Sequence, residues 1–244
     1  MSEPASLAHE AIYDTVEAIL TDRSRGRLLD VPAGEGALAS RLIAQGFDAV
    51  CCDLYPQIFR LESVGVTQGN LDGRLPFDDE SFEYAVCVEG LEHIENPANA
   101  IREFSRLLKS GGSLVVSVPN IMNIEERFKW LLSGYTSHFK PLSSTARDEI
   151  ARDFPGTEEI ALHVNPIGYS ELRYLLEKNG FRIVGTHRDK PKANSWAFRP
   201  VVATIRFISR LSSESKRKSR WADELDSDEV LLGGNTLIFE AVKL

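Results

Sequence analysis

The stretch that decides the fold is Arg27–Leu38, RLLDVPAGEGAL, an apolar run that ends in an acid and a glycine-bearing turn and then takes helical spacing. Leu28, Leu29 and Val31 read as a buried parallel strand, Pro32–Gly36 as the turn, and ALASRLI at 37–43 as a helix whose N-terminus faces the strand's carboxyl end. Gly34 and Gly36 have no Cβ, so a ligand can lie against the main chain there and the turn can take positive φ if it needs to. Glycines after a strand are common in α/β proteins, so the turn alone is equally compatible with an ordinary connection.

The next apolar run, 47–52, ends in Asp53, seventeen residues beyond Gly36. That is close to the roughly 20 residues between a glycine turn and the acid that meets ribose hydroxyls. A carboxylate can accept both vicinal hydroxyl protons, and such charge-assisted bonds are roughly twice as strong as neutral ones.

Four segments then come in order: LLDVPAGEG at 28–36, CCDLYP at 51–56, NLDGRLPFDDESFEYAVCVEGLEHIENP at 70–97 and LLKSGGSLVVSVPN at 107–120. This set resembles the class I S-adenosylmethionine-dependent methyltransferases of the type 11/12 kind. The resemblance is close over Leu28–Asn120 and continues more weakly through HVNPIGYSELRYLLEKNGF at 163–181. It implies an α/β, doubly wound, Rossmann-like fold: a seven-stranded, mainly parallel sheet with an antiparallel last strand and an insertion after strand five. The implied cofactor is S-adenosylmethionine, and the LPF…SFE…LEH…LLKSGG series is not expected of a nicotinamide-dependent oxidoreductase. One departure is visible. Pro32 stands where the family usually has its first glycine, fixing φ near −65° and removing a donor, so the turn must be entered extended.

By this resemblance, Asp30 meets the methionyl end of the donor, Ala33, Gly34, Glu35 and Gly36 form the turn beneath it, and Asp53 with Leu54 holds the ribose. Asn70 with the backbone of Leu71 is expected at adenine, because an amide oxygen can accept from the exocyclic amine, with Asp72 in reserve. Glu89, just past the fourth strand, is expected at both the donor and the catalytic end.

Methyl transfer is a displacement at carbon, so the enzyme aligns nucleophile, methyl and sulfur and removes a proton when the nucleophile is a hydroxyl. A histidine with a pKa near 6.5 can accept that proton. Glu89, His93 and His163 are therefore the catalytic candidates. The structural alternative is an acid–histidine pair that satisfies backbone donors at a helix start. Glu89, Glu92 and His93 also share the E-x-x-E-H spacing of the small-RNA 3′-end methyltransferases, whose acids and histidines hold a divalent ion; His163 would be a fourth ligand. Because LEH also occurs here in many relatives without a metal, no metal ligand is assigned.

The 244 residues, 43% of them apolar, read as one domain over 1–244, with no second glycine turn and no repeat. Its appendages are an N-terminal helix at 5–20, a lid or acceptor-binding insertion at about 121–166, and a basic helical segment at 196–220. The net charge of −8 argues against general nucleic-acid binding. Three cysteines, with Cys51 and Cys52 pointing to opposite faces of one strand, give no disulfide framework. An acidic N-terminus unlike a secretory signal, and no apolar run near the ~20 residues of a membrane span, make the cytoplasm the expected compartment.

Between the motifs, the pattern predicts a short helix at 56–62, strands at 64–67, 82–88 and 114–118, and a helix at 97–109 that stops at Gly111-Gly112. Beyond them it predicts helical spacing at 121–132, a long connection over 133–165, a helix at 169–179 capped by Ser170, and strands at 181–186 and 237–242.

The expected function is O-methylation of a small-molecule, sugar or lipid-linked acceptor such as a glycolipid. The alternatives are a metal-dependent RNA-end or other N- or C-methyltransferase, or a catalytically idle module of the same fold. The segment 196–220 carries Arg199, Arg206, Arg210, Lys216, Arg217, Lys218 and Arg220 among apolar residues, so it could make weak contact with a membrane surface. The other reading is a helix packed on the sheet and followed by a solvated loop, with the acids from Asp223 to Glu229 opposing an anionic surface.

Overall fold

In the computed structural model, seven strands, β1 (Arg27–Asp30), β2 (Asp48–Asp53), β3 (Val66–Gln68), β4 (Phe82–Cys87), β5 (Leu108–Pro119), β6 (Phe181–Arg188) and β7 (Thr236–Lys243), form one sheet. The strand order is 3-2-1-4-5-7-6. The structure describes residues 4–192 and 195–244. β1 runs parallel to both β2 and β4, β2 to β3, and β4 to β5, while β7 lies antiparallel between β5 and β6. The sheet order reverses beside β1, so a crevice opens at the carboxyl ends of β1, β2 and β4, where open α/β sheets bind their ligands.

Both faces of the sheet are covered, which is why its central strands read as continuous apolar runs. Leu28, Cys51 and Val115 point into one layer with α1 (Glu10–Thr21) and α2 (Ala37–Ala44), and Leu29, Cys52 and Val116 into the other with α3 (Pro97–Leu107) and α6 (Tyr169–Lys178). Burial of each large aliphatic side chain contributes about 1.5–3 kcal/mol. Helix α3 shows the local logic: Pro97 opens it, the Asn96 side chain accepts from the Asn99 N–H at 3.1 Å, and Ala100, Ile101, Phe104 and Leu107 bury one stripe.

Several expected boundaries shift. Helix α1 starts at Glu10 rather than residue 5, because the His9 ring accepts from the Ala11 N–H at 3.2 Å and the preceding residues leave the helix axis. The helix expected at 56–62 is a single 3₁₀ turn, Pro56–Ile58. Gly111-Gly112 does not stop α3, which ends at Leu107. The pair lies inside β5, where the ladder with β4 skips from Phe82↔Leu108 to Tyr84↔Ser113 and Gly111 takes φ +77°. The start of α6 is capped by Gly168 without a side-chain bond, not by Ser170.

After β5 come α4 (Ile124–Ser133) and α5 (Ser144–Asp153), capped by Asn123 and Ser143. The connection expected to be irregular thus contains a helix and a further 3₁₀ turn, Glu158–Ala161. Helices α7 (Ser195–Arg210) and α8 (Glu214–Ser219) fall in the segment expected to be basic and helical, and α9 (Ala222–Leu225) and α10 (Asp228–Leu231) follow in its acidic continuation. Among the described residues, no helix is long and apolar enough to cross a membrane.

Candidate functional site

The turn after β1 is held from both sides. Ala33 N–H donates to the Cys52 carbonyl at 3.0 Å, Gly36 N–H closes onto the Ala33 carbonyl at 2.9 Å, and Gly34 adopts φ +55°. The Asp53 carboxylate accepts from Gly34 N–H and from Tyr55 N–H, each at 2.8 Å, so one acid at the end of β2 ties two loops together. The Val31–Pro32 bond is cis. A Cβ on Gly90 would fall 2.6 Å from Pro32 Cδ, so the proline in a glycine's usual place is matched by a glycine across the crevice.

Leu7, Ala8 and Tyr13 from the N-terminal segment, Asp30, Pro32, Ala33 and Gly34 from the first turn, Asp53, Leu54 and Tyr55 after β2, Asn70 and Leu71 after β3, and Glu89 and His93 after β4 line one cleft. Three of its lining residues are carboxylic acids and none is lysine or arginine. Asp30 is 1% exposed and its Oδ2 has no partner among the described residues; burial first, and then Asp53, push its carboxyl up to about 8, against a hydrogen bond from the Ala39 N–H. Burial also raises Asp53, against the backbone donors of Tyr55, Gly34, Ala33 and Leu54. Glu89, at φ +48°, donates its N–H to Ser117 Oγ at 2.8 Å and accepts from that hydroxyl at 3.0 Å. Burial pushes its carboxyl up to about 7 in spite of hydrogen bonds with Ser117 and Thr236.

Glu35 and Gly36 lie outside the lining; Glu35 accepts from the Ala5 N–H at 2.8 Å, and Gly36 is the N-cap of α2 at φ +96°. Asn70 lines the cleft and accepts from the Asp72 N–H at 2.8 Å. Asp72 faces away, accepting from Asn96 N–H at 2.7 Å and Glu95 N–H at 3.2 Å.

Past β4, the 3₁₀ turn Leu91–His93 puts His93 in the cleft with Nδ1 at 3.0 Å from the Leu162 carbonyl. A carbonyl only accepts, so Nδ1 is the donor in that bond. Glu92 is fully buried, neither of its side-chain oxygens has a partner among the described residues, and burial, reinforced by Glu89, holds its carboxyl well above the usual range. His163 does not line the cleft but packs edge-on against His93 with ring centroids 4.7 Å apart, and stacks on His138 at 6.0 Å. Burial, then His93 and His138, push it down to about 4. Ligand atoms of Glu92, His93 and His163 lie within 4.8 Å of one another, a set that could hold a divalent cation.

Sequence reasoning missed His138, which lies in a stretch with no readable period, and Leu7, which fits a helical stripe as well as it fits its actual place, where a Cβ on Gly34 would come within 2.9 Å of it. Ile160, from the connection after β5, also reaches the cleft.

An acid-lined crevice with no lysine or arginine in its lining suits a cationic ligand and repels a pyrophosphate, which such crevices otherwise meet with N–H groups and positive charge. A methyltransferase-domain family matches residues 5–186. The chain is 27% identical over 175 residues to a ubiquinone biosynthesis O-methyltransferase of Psychrobacter cryohalolentis, covering 63% of this chain and 67% of that one. It is 29% identical over 133 residues to a demethylmenaquinone methyltransferase of Listeria welshimeri, covering 49% of this chain and 54% of the relative. The matches therefore span about half to two thirds of these relatives' length. A SAM-dependent methyltransferase from Archaeoglobus fulgidus superposes with a TM-score of 0.57 at 15% identity, covering 95% of this chain and 94% of that one, a likeness of fold.

Proposed function

The chain belongs to the methyltransferase-domain family of S-adenosylmethionine-dependent enzymes, and we propose that it methylates an oxygen of a small-molecule, sugar or lipid-linked acceptor. The cleft fits the donor. It offers a buried oxygen on Asp30 with no partner among the described residues, a close backbone approach at Gly34, and carboxylates for the cationic groups without a competing lysine or arginine. Bound there, S-adenosylmethionine supplies a methyl made electrophilic by its sulfonium sulfur.

In this reading Asp53 and Leu54 hold the ribose, Asn70 and the Leu71 backbone the adenine, and Asp30, Ala33, Gly34 and Glu89 the methionyl end. Glu35 and Gly36 shape the turn. The insertion at 121–166 acts as a lid through Ile160 and brings His163 against His93. His93 takes the acceptor's hydroxyl proton, and His163 limits how that ring can turn.

The single observation that carries an oxygen acceptor is the His93 imidazole in the same cleft as Glu89, with Nδ1 fixed on the Leu162 carbonyl. The names of two relatives, a ubiquinone biosynthesis O-methyltransferase and a demethylmenaquinone methyltransferase, agree with a small-molecule acceptor. The test is release of S-adenosylhomocysteine with paired acceptors that differ only in hydroxyl or amine. Turnover with the hydroxyl member alone supports the reading, and equal turnover of the amine refutes it.

A second reading is favoured by the closeness of Glu92, His93 and His163. These three would hold a divalent ion, which would supply Lewis acidity to the acceptor oxygen. Chelation separates the two readings.

A further inference from the structure

Helix α7 turns an apolar face outward. Its inner side, Val202 with Phe198 and Ile205, packs on Ile124, Leu231 and Leu232. Its outer side carries Trp196 (71% exposed), Phe207 (64%) and Ile208 (60%), with Leu211 (71%) just beyond its last residue. These lie within one broad arc of the helix. Phe128 of α4 meets Phe198 of α7 with ring centroids 6.1 Å apart, and α4 adds exposed Leu131 and Leu132. Proteins rarely leave several large apolar groups bare on one helix face without a binding role.

The charges around this face say what covers it. Arg199, Arg210, Lys216 and Arg220 are exposed and have no ion-pair partner among the described residues, although the whole chain is acidic. The acids that follow are largely neutralised from within: Asp223 pairs with Arg217, Glu224 with Arg173 and Asp228 with Arg206. The repulsion expected from the sequence is therefore reduced where it matters. A second copy seated on this face by a two-fold axis would bring the same arginines towards one another, whereas an anionic surface would complement them.

We propose that the exposed face of α7, continued by α4, is a docking surface for anionic lipid bilayers, with its aromatic and aliphatic groups in the headgroup boundary and its arginines on lipid phosphates. Helix α4 leaves the carboxyl end of β5, the edge that holds the cleft, and the chain beyond it returns through His138 to His163 and His93. Docking would thus hold the cleft near acceptors carried in the bilayer. That consequence rests on the lipid-linked form of the acceptor reading, whereas docking itself is measured with no acceptor present.

The test is co-sedimentation of the full chain with vesicles of phosphatidylcholine alone and of phosphatidylcholine with an equal part of phosphatidylglycerol, at low and physiological salt. The expected result is binding to the anionic vesicles only, weakened by salt. Each arginine near an anionic surface is worth about fivefold in partitioning, so Arg199→Ser with Arg210→Ser should weaken binding by roughly twentyfold or more. Phe207→Ser with Leu211→Ser should weaken it comparably, with the thermal midpoint unchanged because these side chains touch little in the fold. No binding at either salt, or binding indifferent to both double variants, overturns the proposal. So does concentration-dependent self-association that Phe207→Ser abolishes in place of vesicle binding. Turnover of a water-soluble acceptor without vesicle binding would sink docking and leave the methyl-transfer reading standing.

Discussion

The Asp53 carboxylate accepts the Gly34 N–H at 2.8 Å, so the acid expected to meet the donor's ribose is also the group that fixes the turn beneath it. Each carboxylate oxygen has more than one acceptor site, and the backbone bonds at Oδ1 and Oδ2 leave capacity for hydroxyl donors. In the proposed reading one residue therefore couples the shape of the site to its affinity.

Donor binding should tighten as pH rises. In the free protein, burial holds Asp30 near 8 and Glu89 near 7, so both are partly protonated around neutrality. A cationic ligand favours their ionised forms and expels protons, and affinity should climb between about pH 6 and pH 8 by up to about tenfold per unit for each proton released. Calorimetry with S-adenosylmethionine in buffers of unlike protonation enthalpy reads the proton count. S-adenosylhomocysteine, with a neutral sulfur, should show a smaller effect. Affinity flat across this window would mean that the acids do not face the cation.

Asp30→Asn should make the free protein more stable and the donor complex weaker. A carboxyl whose folded pKa is raised costs stability above its unfolded pKa, and the cost grows until pH passes the folded value. For a shift from 3.8 to about 8, the gain on substitution at neutral pH is on the order of a few kcal/mol, and it should vanish as pH falls to about 4. Thermal midpoints across pH check the sign; a variant less stable at pH 7 would contradict it.

The contact between Pro32 and Gly90 should appear as energetic coupling. A methyl on Gly90 would lie 2.6 Å from Pro32 Cδ and 3.0 Å from Cys87 Sγ, so Gly90→Ala should cost about 1–3 kcal/mol as an overpacked site. Pro32→Gly in that background should restore part of the loss. Denaturant midpoints of the four proteins give the cycle, and simple additivity would show that the two positions are independent.

His93→Ala should lower turnover by about 10²–10⁴ with donor affinity intact, as for loss of a general base. If the histidine acts without a metal, exhaustive chelation leaves wild-type turnover unchanged. If Glu92, His93 and His163 hold an ion, chelation abolishes turnover and Mn or Mg restores it. Full activity in both experiments would leave alignment as the whole mechanism.

The alternation around β1, β2, β4 and β5 was legible because each strand is buried on both faces and each helix shows a stripe, so pattern and burial agree from Leu28 to Asn120. Boundaries were less so. Gly111-Gly112 reads as a helix stop, but here the glycines serve an irregular ladder, a tertiary demand that local spacing does not carry. Asp30, Asp53, Asn70 and Glu89 were legible as residues in known motifs, whereas His138 reaches His163 only through the path of the connection after β5. The outward apolar face of α7 was hidden for a related reason: its composition suits a packed helix, and only the fold shows which side is covered.

The most direct test of the central claim, that the acid-lined cleft binds the sulfonium donor through Asp53, is calorimetric titration of wild type and Asp53→Ala with S-adenosylmethionine, with a reduced nicotinamide dinucleotide as control. Loss of a charged acceptor worth ~1.5–3 kcal/mol predicts an affinity about tenfold to a hundredfold weaker in the variant, and no binding of the dinucleotide to either protein. Equal affinity of the two proteins for the donor, or tight binding of the dinucleotide, would contradict the account.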